Sequence, residues 1–192
     1  MDGARRIFST LGFDAASVSD IAREAGVSKG TLYVYFENKE QLFAAIIGEE
    51  RERYKEELFA ALESGPDTAA SLRGFGMRLA RLLTTARIVR AQRVVISMAE
   101  RMPELMKTFY HEGPQATAER LARYLEAQTE AGLLNVADPV LAAYQFIDLS
   151  QSMLARVRLF GATTTEATEA DIARTVDAAV AVFMAAYGPK AR

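Results

Sequence analysis

Three helix starts and one glycine turn fall between Ser17 and Gln41, and no other feature of the chain restricts its fold so tightly. Ser17 followed three residues later by Asp20 has the capping-box spacing, so a helix opens there and runs to Ala25. Gly26 can take the positive φ of a tight turn without steric cost. Ser28 caps a next helix to about Phe36, and Asn38 with Gln41 repeats the capping-box spacing to open a long helix from Lys39 to about Glu63. Ahead of them a helix begins near Asp2 and ends at Gly12. Val18, Ile21, Ala22 and Ala25 give the Ser17 helix one apolar face, Val27 plugs the turn, and Leu32 and Phe36 are buried by the helix that follows. Residues 1–47 therefore read as a three-helix, helix-turn-helix domain. Ser28, Lys29, Thr31, Tyr33 and Tyr35 are left on its outer side, and short hydroxyls, a cation and tyrosines suit a reader of the DNA major groove.

Helical periodicity continues to the end of the chain, and no strand-like alternation is bounded by hairpin turns. The fold class is all-α, with about nine or ten helices and a second domain over residues 48–192. SGPD at Ser64–Asp67 is a linker-like break. Beyond it, helices are predicted from Thr68 to about Ala86, Ile88 to about Glu100, and Pro103 to near His111. Gly113-Pro114 opens another that Gly132 closes, Asp138-Pro139 caps a long one to Phe160, and Thr168 with Asp171 caps a last one that Gly188-Pro189 ends.

Composition narrows the chemistry. The chain has no cysteine and a single histidine, His111, which excludes thiolate or histidine-rich metal sites, disulfides and a cysteine nucleophile. No G-x-S-x-G elbow, phosphate-cradling glycine loop or Glu-x-x-His pair is present, so the enzyme alternative, a helical-bundle catalyst, has no motif; GFG at Gly74–Gly76 lies in a helical pattern. No cofactor is expected. With no signal-like start and no apolar run of about 20 residues, a cytoplasmic protein without membrane contact is expected. The charge is awkward for a nucleic-acid binder. It is −2 overall, and residues 1–47 hold five bases (Arg5, Arg6, Arg23, Lys29, Lys39) against six acids. DNA contact must rest on a few placed groups rather than on a broad positive field.

The block from Ile7 to Phe43, IFSTLGFDAASVSDIAREAGVSKGTLYVYFENKEQLF, closely resembles the TetR family of one-component transcriptional regulators. The resemblance implies that Ser17 and the amides after it hold a phosphate. It also implies that Lys29, Gly30, Thr31 and Tyr33 approach bases, and that Tyr33, Tyr35 and Lys39 meet phosphates. A bare Gly30 would let the backbone come close to the groove. The resemblance further implies a basic extension before the first helix, whereas the sequence begins inside that helix. Either the arm is absent, which would weaken phosphate contacts, or the start is truncated.

Residues from about Ala91 to Tyr187 resemble the AefR-like C-terminal domain of the same family, on the stretches RAQRVVISMAERMPELMKTFYHEGP, LARYLEAQTEAGLL and DPVLAAYQF. This implies a pocket for a small apolar or amphipathic inducer. Candidate lining residues are Arg93, Met98, Met102, Met106, Phe109, Tyr110, Tyr124, Tyr144 and Phe146, since methionine and aromatic side chains offer adaptable apolar surface. Arg93, if buried, needs Asp148, Glu100 or an anionic ligand as a partner. His111 reads as a helix-end residue. The helix after Pro139 is apolar nearly all round. The last helix carries Ile172, Val176, Ala179, Val180, Phe183 and Tyr187 among many alanines. Such helices need cover on two sides, so the last two helices are expected to form a four-helix homodimer interface. The expected function is a ligand-responsive regulator, foremost a repressor, that binds a palindromic double-stranded operator as a dimer. An activator or adaptor is the alternative.

Overall fold

Capping side chains start the helices where the spacing predicts. Ser17 Oγ accepts from the Asp20 amide at 3.1 Å, Ser28 Oγ from Thr31 at 3.0 Å and Asn38 Oδ1 from Gln41 at 2.8 Å. Asp138 and Thr168 do the same for the helices at Pro139 and Glu169. The computed structural model describes residues 1–63 and 67–189; Ser64–Pro66 of the expected linker lie outside them. Among the described residues the chain is all-α. The helices are α1 (Asp2–Ala15), α2 (Val18–Ala25), α3 (Lys29–Tyr35), α4 (Lys39–Glu63), α5 (Thr68–Thr84), α6 (Ala86–Met98), α7 (Pro103–Tyr110), α8 (Ala116–Glu130), α9 (Pro139–Ser150), α10 (Ala155–Leu159) and α11 (Glu169–Tyr187). Gly12 at φ 78° kinks α1 near the predicted stop, and Gly26 at φ 67° makes the turn after α2.

Two expectations for the second domain need correction. Gly113-Pro114 does not open a separate helix. A π-helical turn, His111–Gln115, carries the chain from α7 into α8 with Pro114 inside it. The wide turn absorbs the missing proline amide, and Gly113 leaves room for the Arg51 guanidinium, which a Cβ would meet at 3.4 Å. Nor does one helix run from Pro139 to Phe160. It stops at Ser150, whose hydroxyl bonds back to Phe146 O at 2.8 Å, and Met153 takes φ 64° before α10 begins. The break buries Leu154 beside Ala80, Ile172 and Val176 and turns Met153 outward.

The apolar side chains gather in separate clusters. Ala4, Ile21, Leu42 and Ile46, with Ile7, Phe8, Leu32 and Phe36, hold α1–α3 onto the start of α4. The larger core joins Leu58, Phe59 and Leu62 of α4 to Phe75, Leu121, Leu125, Phe146 and Phe183. Thus α4 crosses the expected boundary at residue 47 without interruption, serving one core with Leu42 and Ile46 and another from Leu58 onward. A further cluster joins α1 and α4 to α6: Met98, fully buried at the end of α6, packs with Phe13 and Phe43. Among the described residues no helix is long and apolar enough to cross a membrane, and no group of three potential metal ligands occurs.

Candidate nucleic-acid interface and ligand cleft

Leu32 and Phe36 tie α3 to the head, which presents the rest of the helix to solvent. Tyr33 is 53% exposed, Tyr35 73% and Val34, which sequence reasoning passed over, 77%. Ser28, Lys29, Gly30 and Thr31 are exposed beside them, so these candidate DNA contacts share one surface. Ser28 and Thr31 hydroxyls lie 2.9 Å apart. Nothing inside the fold requires glycine at 30: an added Cβ would meet only Ser28 Oγ, at 3.6 Å.

The cations of the head are mostly committed. Arg5 bonds Asp2 and Glu49, Arg6 bonds Glu24, and Arg23 bonds Asp20. Lys39 Nζ donates to the carbonyls of Phe13 at 2.8 Å, Ala16 at 3.1 Å and Asp14 at 3.4 Å, and sits 4.4 Å from the centre of the Phe13 ring. That ammonium closes the end of α1. Among the described residues Lys29 makes no ion pair, which leaves it the free base of the head. Ser17, besides capping α2, donates its hydroxyl to the Asp20 carboxylate. This bond, then the one from Arg23, holds the Asp20 pKa below the ordinary aspartate value, so a negative charge stands at the place expected to receive phosphate.

The second domain opens a cleft of about 1060 Å³. Its walls come from α6 (Gln92, Val95, Ile96), α7 (Phe109), α9 (Gln145, Asp148, Leu149), α10 (Arg156, Leu159) and α11 (Val182, Phe183, Tyr187), with Gln151 and Met153 from the break between α9 and α10. Tyr187 donates its hydroxyl to Gln145. Apolar walls with several side-chain amides, the Asp148 carboxylate and the Arg156 guanidinium suit an amphipathic molecule.

Of the nine residues expected around a ligand, Phe109 lines this cleft. Phe146 is fully buried in the larger core between Phe75 and Phe183, and Tyr124 packs on its edge. Met98 and Met106 belong to the cluster around Phe13 and Phe43, and Met102 precedes α7, half-buried. Tyr110 and Tyr144 pair through their hydroxyls at 3.1 Å. Arg93 departs from expectation: it is exposed, and its guanidinium donates to the carbonyls of Arg158 and Leu159 at the end of α10. These carbonyls, of which that of Arg158 also accepts from the Gly161 amide, replace Asp148 and Glu100 as its partners.

Sequence reasoning also missed a polar seam between the clusters. Glu50 of α4 is only 5% exposed, accepts from Arg87 of α6 and lies 3.3 Å from Arg5 Nε of α1, while Arg87 also donates to Tyr54 at 2.6 Å. Next to it, Arg51 bonds Glu112 of the π turn at 3.0 Å. In sequence, Glu50 sits in the run EERER, which reads as a solvated charged face.

Outside the core, α9 exposes Val140 and Leu141, and α11 exposes Ala178, Ala181, Val182 and Ala185. These small and apolar groups lie on the two helices expected to dimerise, and of them Val182 also lines the cleft.

Comparison with known proteins agrees with this anatomy. Residues 1–46 match the family described as bacterial regulatory proteins, tetR family, and residues 70–189 match the AefR-like transcriptional repressor C-terminal domain. Among curated relatives, the chain is 40% identical over 53 residues to the HTH-type transcriptional repressor Rv1474c of Mycobacterium tuberculosis, covering 28% of each chain. It is 45% identical over 53 residues to UidR of Escherichia coli, covering 28% of this chain and 27% of that one. These matches span little more than a quarter of either relative. Solved structures extend over the whole chain. A TetR-family regulator of Mesorhizobium loti has a TM-score of 0.88 at 27% identity, covering 97% of this chain and 94% of that one. The flavonoid-responsive regulator FrrA has a TM-score of 0.74 at 33% identity, covering 99% and 95%.

Proposed function

The chain belongs to the TetR family of bacterial transcriptional regulators, a family of regulators rather than enzymes, and from that premise we propose that it is a ligand-responsive repressor. It binds a palindromic operator as a homodimer, with Lys29, Gly30, Thr31, Tyr33 and Tyr35 facing the DNA. It leaves the operator when a small amphipathic inducer occupies the cleft.

The observation that carries this reading is the double duty of α6. Gln92, Val95 and Ile96 line the cleft, while Ala91, Val94 and Met98 of the same helix pack with Phe13 and Phe43 of the head. A ligand that shifts α6 cannot leave α1 and α4 where they were. Induction then needs only that the ligand prefer one arrangement, and coupling of about 1–3 kcal/mol suffices. The tilt of α4 changes the spacing of two recognition helices that a symmetric operator holds about 34–36 Å apart.

A dimer through Val140 and Leu141 of α9 and Ala178, Ala181 and Ala185 of α11, exposed residues that do not line the cleft, supplies the second recognition helix, and the exposed alanines allow close helix approach. For the inducer, the resemblance to flavonoid-responsive FrrA along the full chain favours a planar hydroxylated aromatic molecule. The amides of Gln92, Gln145 and Gln151 among apolar walls can bond such hydroxyls.

The test is fluorescence anisotropy on a duplex selected by the full chain from a randomised pool. A flavonoid titrated into the complex is expected to release the duplex. Release that never occurs, with the flavonoid bound as judged by calorimetry, overturns the gating. Failure to enrich any duplex overturns DNA binding itself.

A further inference from the structure

The face of α3 that points away from the head is not the tyrosine side. Leu32 marks the inward direction, and at about 100° per residue the positions nearly opposite it are 30 and 34, two before and two after. Gly30 and Val34 therefore stand one above the other on the outward line, with Thr31 and Tyr33 flanking them. Val34 is 77% exposed, more than either tyrosine. Folding gives no reason for this choice, because a β-branched side chain is a mediocre helix former and this one is not among the head's packed residues. Nor does folding ask for glycine at 30, where a Cβ meets only Ser28 Oγ at 3.6 Å. An apolar branched side chain and a bare stretch of backbone thus occupy the centre of the surface proposed to meet DNA.

We propose that Val34, with the uncovered backbone at Gly30 allowing close approach, reads the C5-methyl group of a thymine at a fixed position in each half-site. Valine can neither donate nor accept a hydrogen bond, so it cannot distinguish the polar edges of bases. The thymine methyl is the apolar feature of the major groove that it can recognise. The inference rests on the DNA-binding reading above and sharpens it, since it names the group of the operator that one side chain recognises.

The test uses duplexes enriched from a randomised pool by the 192-residue chain, with single thymines replaced by deoxyuridine. That exchange removes a methyl group and leaves pairing and phosphates alone. One symmetric position is expected to weaken wild-type binding by about fourfold per half-site, the scale of one apolar group losing contact. Val34→Ala, checked for an unchanged melting curve, is expected to bind thymine and uracil duplexes equally. A uracil penalty that persists in Val34→Ala, or no thymine whose methyl matters, overturns the proposal while DNA binding stands. A pool that never enriches overturns both.

Discussion

Arg87 of α6 donates to the carboxylate of Glu50 on α4, a group almost wholly withdrawn from water. Arg5 of α1 approaches the same carboxylate at 3.3 Å. One buried acid thereby joins the DNA-binding head, the connecting helix and a wall of the cleft. Glu50→Gln leaves Arg87 without its counter-charge, while Arg5 keeps Asp2 and Glu49. Arg87 is partly solvated, so the loss should be about 1–2 kcal/mol rather than the several expected of a fully buried pair. Urea denaturation reads it. On the proposed mechanism the variant should also need a different inducer concentration to release operator, because α6 and α4 are no longer tied at that end.

Lys39 separates a structural role from a DNA-binding one. Its ammonium already serves three carbonyls at the end of α1. Lys39→Met should lower stability by about 1–2 kcal/mol and leave the slope of log K against log salt unchanged for whatever complex still forms. If Lys39 instead meets a phosphate in each subunit, the slope should fall in magnitude by about 2. Titration at several salt concentrations distinguishes these outcomes.

Tyr144 carries a pH signature. The hydrogen bond with Tyr110, and secondarily burial, push its hydroxyl from the ordinary value of 10.0 up to about 12. A raised folded-state pKa means that the neutral form is favoured by folding. Its contribution is fully present below about pH 10 and is lost as pH rises towards 12. Phenolate absorbance should show a tyrosine ionising near that upper value, and Tyr110→Phe should bring it down towards 10.

The head was legible because its signals are local. Caps at Ser17, Ser28 and Asn38 and the turn at Gly26 act within three or four residues, so spacing alone locates them. The cleft was not, because its walls meet only in the tertiary fold. Phe146 and Phe109 look alike in sequence, yet one fills the core and the other lines the cleft. The break after Ser150 was hidden because every residue around it can be helical, and it is the burial of Leu154 that accompanies the turn. Glu50 was masked by the charged residues on either side of it. The carbonyls that hold Lys39 are more than twenty residues away in sequence, so its bond to the end of α1 was hidden too.

Two glycines make opposite predictions for the same substitution. At Gly76 of α5 a Cβ would stand 2.9 Å from Val176 Cγ1, 3.1 Å from Ser150 Oγ and 3.5 Å from the Phe146 ring. The crossing of α5 with α9 and α11 depends on that bare backbone, so Gly76→Ala should cost about 1–3 kcal/mol through overpacking. At Gly30 a Cβ meets almost nothing, and alanine is the better helix former, so Gly30→Ala should leave stability unchanged or raise it by up to about 1 kcal/mol. If backbone at 30 approaches the major groove, the same methyl should weaken operator binding at least tenfold while the protein becomes no less stable. Denaturation and anisotropy measured on both variants separate the two cases. A Gly30→Ala protein that binds operator normally would mean that the groove lies elsewhere.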